Sequence, residues 1–169
     1  MKQIPISELS IKPSQLWLRD WLLLTAGDST AYNSMTVAWG SIGGMWKKPF
    51  IQVVVRPSRY TFEFITKYPT FTLCAFDKKF HDVLQIMGTK SGRDCNKIKE
   101  TGITPIKSIT ADAPGFKEAG LILECKKMYW QDMEPANFLE PGIADNYPDG
   151  NIHRIFFGEI TCVLSNETG

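Results

Sequence analysis

The segment Phe50-Ile51-Gln52-Val53-Val54-Val55-Arg56 limits what this chain can become more than any other. It is nearly all apolar and rich in β-branched residues, which favours a strand. Pro57 stops it. Beyond Pro57 the chain breaks into short pieces. Tyr60, Phe64 and Ile65 suit a short amphipathic helix, with Ser58 as its N-cap, Glu63 in its early turns and an end before Pro69. Phe71 to Phe76 reads as a strand. Phe80, Val83, Leu84 and Met87 recur at helical spacing up to Gly88, a C-cap. Asp94 caps a further short helix through Ile98 to Gly102.

The flanks read the same way. Residues 1–15 form a leading arm, and Trp17 to Leu24 is a first strand. Gly27-Asp28-Ser29-Thr30 is a turn, so Met35 to Trp39 pairs back as a hairpin. Ser41-Ile42-Gly43-Gly44 is a flexible loop closed by Pro49. Leu121 to Lys126 is a strand whose pattern slips near Lys126-Lys127-Met128, as at a bulge. Residues 141–151 are a loop, and His153 to Leu164 is a last long strand. Strands do not alternate with long helices, which disfavours a Rossmann-type parallel sheet. The fold class expected is mainly β, an antiparallel barrel with short helices in its connections.

At 169 residues, the chain is expected to be one domain, 1–169. Lys and Arg number 19 against 18 Asp and Glu, a balance that argues against nucleic acid or an anionic membrane as partner. Aromatics are 12% of the chain, which fits a flat apolar ligand or simply a bulky core. Cys74, Cys95, Cys125 and Cys162 lack zinc spacing and read as reduced thiols, so no metal is expected. Without a signal-peptide core or a membrane-length apolar run, the expected location is cytoplasmic.

Nucleotide P-loop, dinucleotide and nucleophile-elbow motifs are absent, and with two His a triad has few candidates. His81 reads as a surface residue. Four segments carry chemistry. In Asn33-Ser34-Met35-Thr36-Val37-Ala38-Trp39-Gly40, backbone groups and hydroxyls suit the polar edge of a heterocycle, with Trp39 as an apolar wall; the other reading, favoured for the segment alone, is a plain core strand with a buried Trp. Arg56-Pro57-Ser58-Arg59-Tyr60-Thr61 opens a helix with two Arg and two hydroxyls, an anion site or a solvated cap. Ser91-Gly92-Arg93-Asp94-Cys95-Asn96-Lys97 is a second basic turn or a solvated loop. His153 opens the last strand, as a site residue or a structural one.

In this order and spacing, these segments, with Met45-Trp46-x-Lys48-Pro49, resemble the flavin reductase-like family of FMN-binding split barrels, most closely its flavoredoxin-type branch. The resemblance runs from about Thr30 to Ile160 and is weakest over residues 137–152. It implies a six-stranded antiparallel Greek-key barrel and a homodimer with FMN near the interface. It implies cofactor contacts from Asn33, Ser34, Met35, Thr36, Val37 and Trp39 along the ring. Arg56, Ser58, Arg59, Tyr60, Thr61, Ser91, Gly92, Arg93 and Lys97 then hold the phosphate and ribityl chain. His153 and an aromatic of the final strand, Phe156 or Phe157, match positions that approach the flavin, and His153 is the one catalytic candidate. The basic residues Arg56, Arg59, Arg93 and Lys97 are expected to converge on one phosphate. The implied activity passes hydride or electrons from NADH or NADPH through FMN to an acceptor. The alternatives are an electron carrier reduced by a partner protein and a non-catalytic flavin-binding module.

Overall fold

Leu22, Leu23 and Leu24 are fully buried on both faces of their strand, so that strand must run between two apolar layers. A computed structural model describes residues 1–166 and shows how. The last three positions of the expected 1–169 domain lie outside the described residues. The strands are β1 (Lys2–Ile4), β2 (Leu22–Gly27), β3 (Tyr32–Val37), β4 (Gly40–Met45), β5 (Lys48–Val55), β6 (Thr70–Ala75), β7 (Pro105–Ile106), β8 (Gly115–Phe116), β9 (Leu121–Asp132) and β10 (Arg154–Ser165). The main sheet runs β3-β2-β6-β9-β10-β5-β4, all antiparallel, with β1 added to β10.

The two ends of that path, β3 and β4, are separated in sequence by only Ala38 and Trp39. They are halves of one bent stave, the first pairing with β2 and the second with β5. The chain itself therefore closes the barrel, and the bend is its split. From β5 to β6 the chain passes over the bent stave and β2, a Greek-key connection. The sheet has eight strands rather than the six expected. The excess is the division of the bent stave and the short β1, which replaces the free leading arm.

The interior holds Leu22, Leu24, Val37, Val53, Leu73, Leu123 and Phe156. A second apolar layer, with Leu23, Cys74, Leu84, Met87 and Phe116, packs outside β2 and β6. Cys74, Cys125 and Cys162 are buried thiols, and burial pushes Cys74 up to about 12. The helices are α1 (Pro13–Gln15), α2 (Tyr60–Lys67), α3 (His81–Thr89) and α4 (Lys97–Thr101).

Several local expectations change. Leu16–Asp20 is a π-helical turn, not strand, because it buries Leu16 and Trp17 and ends at Trp21, whose φ is 60°. The glycine stretch Ser41–Gly44 lies within β4, and Pro49 within β5. Their reversal is a two-residue turn at Trp46 and Lys47, both at positive φ (52° and 60°), the backbone of a type I′ hairpin. Ser58 does not cap α2, whose N-cap position is Arg59. Asn96, not Asp94, caps α4 by accepting from Lys99 N at 3.0 Å, while Gly102 ends it at φ 71°. Helix α3 continues through Gly88 to Thr89. The bulge falls where the pattern slips: Phe157 pairs with Tyr129 and Gly158 with Lys127, leaving Met128 extra.

Candidate functional site

Strand β3 pairs on one edge only, so its other edge is open where the stave bends. Two adjoining cavities occupy that side. One, of about 330 Å³, lies along Met35 to Trp39 and is closed by Val54, Arg56, Arg59 and His153. The other, of about 140 Å³, lies between the Ser58–Thr61 turn, the end of α3 and the Ser91–Gly92 turn, with Lys97 in its wall. Met35 and Arg59 line both. A third, of about 710 Å³, shares Asn33, Tyr60, Gly92 and Lys97 with the smaller one.

The small cavity collects donors. The first N–H groups of α2, on Tyr60 and Thr61, have no partner within the helix. Arg59 Nη1 donates to Gly88 O at 3.2 Å, which leaves most of its fork free. Lys97 is only 5% exposed, and its Nζ donates to Ser34 O at 2.6 Å and Met87 O at 3.0 Å. An ammonium has three N–H bonds, so one remains. Burial pulls Lys97 down to about 8, Cys95 acts in the opposite sense, and Arg59 adds to the lowering. Such a donor set fits a phosphate.

The larger cavity offers a wall and an edge. Trp39 is 43% exposed, and its ring lies 5.2 Å from that of His153. Burial, then Arg56 and Arg59, hold His153 down at about 4. Its Nδ1 lies 2.9 Å from Tyr147 Oη, and the guanidinium of Arg56 lies 5.2 Å over the Tyr147 ring. Flat wall, open strand edge and neighbouring anion site together fit a phosphorylated heterocycle such as FMN.

Most predicted residues are brought together here, though in differing ways. Asn33, Met35, Ser58, Arg59, Tyr60, Thr61, Ser91, Gly92 and Lys97 line the small cavity, and Met35, Thr36, Val37, Trp39, Arg56, Arg59 and His153 line the larger. Several side chains are already engaged. Asn33 Nδ2 donates to Thr61 Oγ1 at 2.7 Å, and the Ser34 and Thr25 hydroxyls lie 2.8 Å apart. Thr36 Oγ1 donates to Leu84 O of α3, so Thr36 offers the larger cavity main chain rather than its hydroxyl, while Ser34 lines only the third cavity. A Cβ on Gly92 would overlap Asn33 Oδ1, so this glycine permits a close approach of turn to strand.

Two expectations fail. The four cations do not converge: Arg93 turns to Glu63 (2.5 Å) and Ser58 O (3.1 Å), while Arg56 serves the larger cavity and donates to Asn146 O at 2.8 Å. Phe157 lines none of the three cavities; its ring packs with Trp46, Phe50 and Tyr129. Phe156 is fully buried in the core. Sequence reasoning does not single out Tyr147. Its signal is an aromatic in the 141–151 loop, placed six residues before His153.

The sequence profile described as "Flavin reductase like domain" matches residues 19–168. An uncharacterized protein of Pyrococcus abyssi is 30% identical over 105 residues, covering 62% of this chain and 59% of that protein. The match thus spans less than two thirds of that relative's length. The flavoredoxin of Desulfovibrio vulgaris (Miyazaki F) superposes with a TM-score of 0.69 at 24% identity, covering 99% of this chain and 78% of that one. An NADH:FAD oxidoreductase of Streptomyces globisporus superposes with a TM-score of 0.66 at 16% identity, covering 86% and 75%. At these identities the likeness is one of fold, the split barrel. Among the described residues no helix is long and apolar enough to cross a membrane.

Proposed function

Because this chain belongs to the flavin reductase-like domain family, we propose that it is an FMN-binding oxidoreductase taking electrons from NADH or NADPH. One observation carries the reading: a cation-lined cavity opens, through Met35 and Arg59, into a flat-walled cavity along an unpaired strand edge. Lys97, Arg59 and the N–H groups of Tyr60 and Thr61 hold the phosphate. Main-chain groups of the Thr36–Ala38 edge orient the ring, and Trp39 keeps water from one side of it. When bound, FMN would supply the redox chemistry, that of a hydride acceptor. Burial, reinforced by Arg56 and Arg59, keeps His153 uncharged at neutral pH.

The electron-carrier alternative is supported by the fold likeness to a flavoredoxin along 99% of the chain. One assay separates the two. Protein with FMN should oxidise NADH or NADPH catalytically. No turnover with either nucleotide, combined with fast electron transfer from dithionite-reduced protein to a partner, would establish the carrier. Protein that neither turns yellow with FMN nor quenches its fluorescence would defeat both.

The same reading makes the protein a homodimer in the cytoplasm. The exposed rings of Trp46 (57%) and Tyr129 (44%) support the dimer, and four free thiols support a reducing compartment.

A further inference from the structure

We propose that Tyr147 is a positioning residue. It fixes His153 as a neutral imidazole whose Nε2–H faces the larger cavity, ready to donate to an acceptor oxygen of a flat molecule lying beside Trp39.

The Tyr147 hydroxyl has one proton and two acceptors within reach, His153 Nδ1 at 2.9 Å and Met133 Sδ at 3.7 Å. A thioether accepts weakly, so donation to a bare Nδ1 is the stronger of the two bonds open to that hydroxyl, and it is the one proposed. A neutral imidazole carries a single N–H, and the nitrogen that accepts does not bear it. The proton therefore sits on Nε2. Charging the ring is opposed by its surroundings. The charged and titratable groups facing it are Arg56 from the end of β5, Arg59 from the turn before α2, and Tyr147 from the loop.

Nε2 has no partner among the described residues and is not sealed from solvent. Among the described residues Trp17 Nε1 is the single buried side-chain nitrogen or oxygen without a partner. Nε2 of His153 bonds to no described residue, so it is reached by solvent, and the ring lines the cavity with Trp39. The loop that carries Tyr147 is itself held. Asn151 Nδ2 donates to Ser58 Oγ at 2.5 Å, Arg56 Nη2 donates to Asn146 O at 2.8 Å, and Phe138 stacks on Tyr147 at 5.6 Å. The loop of weakest family resemblance thus packs against His153, which lines the larger cavity.

What the donor serves rests on the proposed redox function, but the tautomer does not. It is read in flavin-free, ¹⁵N-labelled protein by long-range ¹H–¹⁵N spectra. The chain has two His, so His81→Gln assigns His153. The expected result between pH 6 and 8 is protonation at Nε2 only. In Tyr147→Phe the Nδ1 resonance should move downfield toward that of an unbonded imidazole nitrogen, with the His81 signals unchanged. Met133→Leu should leave the Nδ1 resonance where it was. A proton on Nδ1 in the unsubstituted protein, an unmoved Nδ1 resonance in Tyr147→Phe, or a shift in Met133→Leu would each overturn the proposal. Failure of FMN to bind would strike the redox function alone.

Discussion

Lys97 Nζ donates to the carbonyl oxygen of Ser34 at 2.6 Å, so the cation of the small cavity is held by the strand that floors the larger one. Its second bond, to Met87 O, ties in the end of α3. One side chain from α4 thereby sets the spacing between the proposed phosphate and ring positions.

This burial makes ligand binding depend on pH. It brings Lys97 to about 8, so the free protein loses this charge as pH rises through that value. FMN affinity should decline above pH 8 while riboflavin affinity stays level. In Lys97→Met the decline should vanish, as read by fluorescence titration. For stability the sign is opposite. The unfolded lysine holds its proton up to about 10.5, so burying the charge destabilises the fold fully below pH 8. That burden lifts between pH 8 and 10.5.

The phosphate site predicts selective losses. Arg59→Ala or Lys97→Ala should weaken FMN about 10- to 100-fold, since a charge-assisted hydrogen bond contributes about 1.5–3 kcal/mol. Riboflavin, lacking the phosphate, should change little. Arg93→Ala should weaken both ligands equally, because its guanidinium clasps Glu63 and Ser58 instead. Isothermal titration with both ligands checks all three.

His153 makes the fold acid-sensitive in a defined window. Its folded value of about 4 lies below the ordinary 6.5, so the unfolded chain binds the proton more tightly. Stability should be unaffected above pH 6.5 and should fall as pH drops toward 4. In His153→Gln the urea midpoint should lose part of that slope.

Gly158 lets β10 pack closely on the ring of Phe71. A Cβ there would stand 2.5 Å from the Phe71 ring. Gly158→Ala should cost about 1–3 kcal/mol by overpacking, seen as a lower Tm in calorimetry.

The Trp46 hairpin predicts assembly. Trp46 packs on Tyr129 at 6.0 Å and on Phe157 at 6.4 Å, yet stays 57% exposed. Light scattering at micromolar concentration should give a dimer mass, and Trp46→Ser should shift it toward the monomer. A monomer mass for the unsubstituted protein would remove the dimer from the reading.

Local pattern was enough for much of this molecule. The run into Pro57, the turn at Gly27–Thr30, the helix end at Gly102 and the bulge at Met128 all depend on residues close in sequence. Short-range sterics and alternation encode them directly. The motif segments, in order, were likewise enough to indicate the family. Contacts between distant segments decided the rest. Phe157 and Phe156 are neighbours in sequence, and only the pleat of β10 against β5 and β9 sends one to the core and the other to the Trp46 cluster. Arg93 and Arg59 look alike in sequence, but Glu63 lies within reach of one and not the other. Tyr147 acquires its role because the loop folds onto Arg56 and Ser58, about 90 residues earlier. Neighbours along the chain set most of the elements, but burial makes Leu16–Asp20 a helical turn, and where a charge or ring points is set by packing, which no local pattern records.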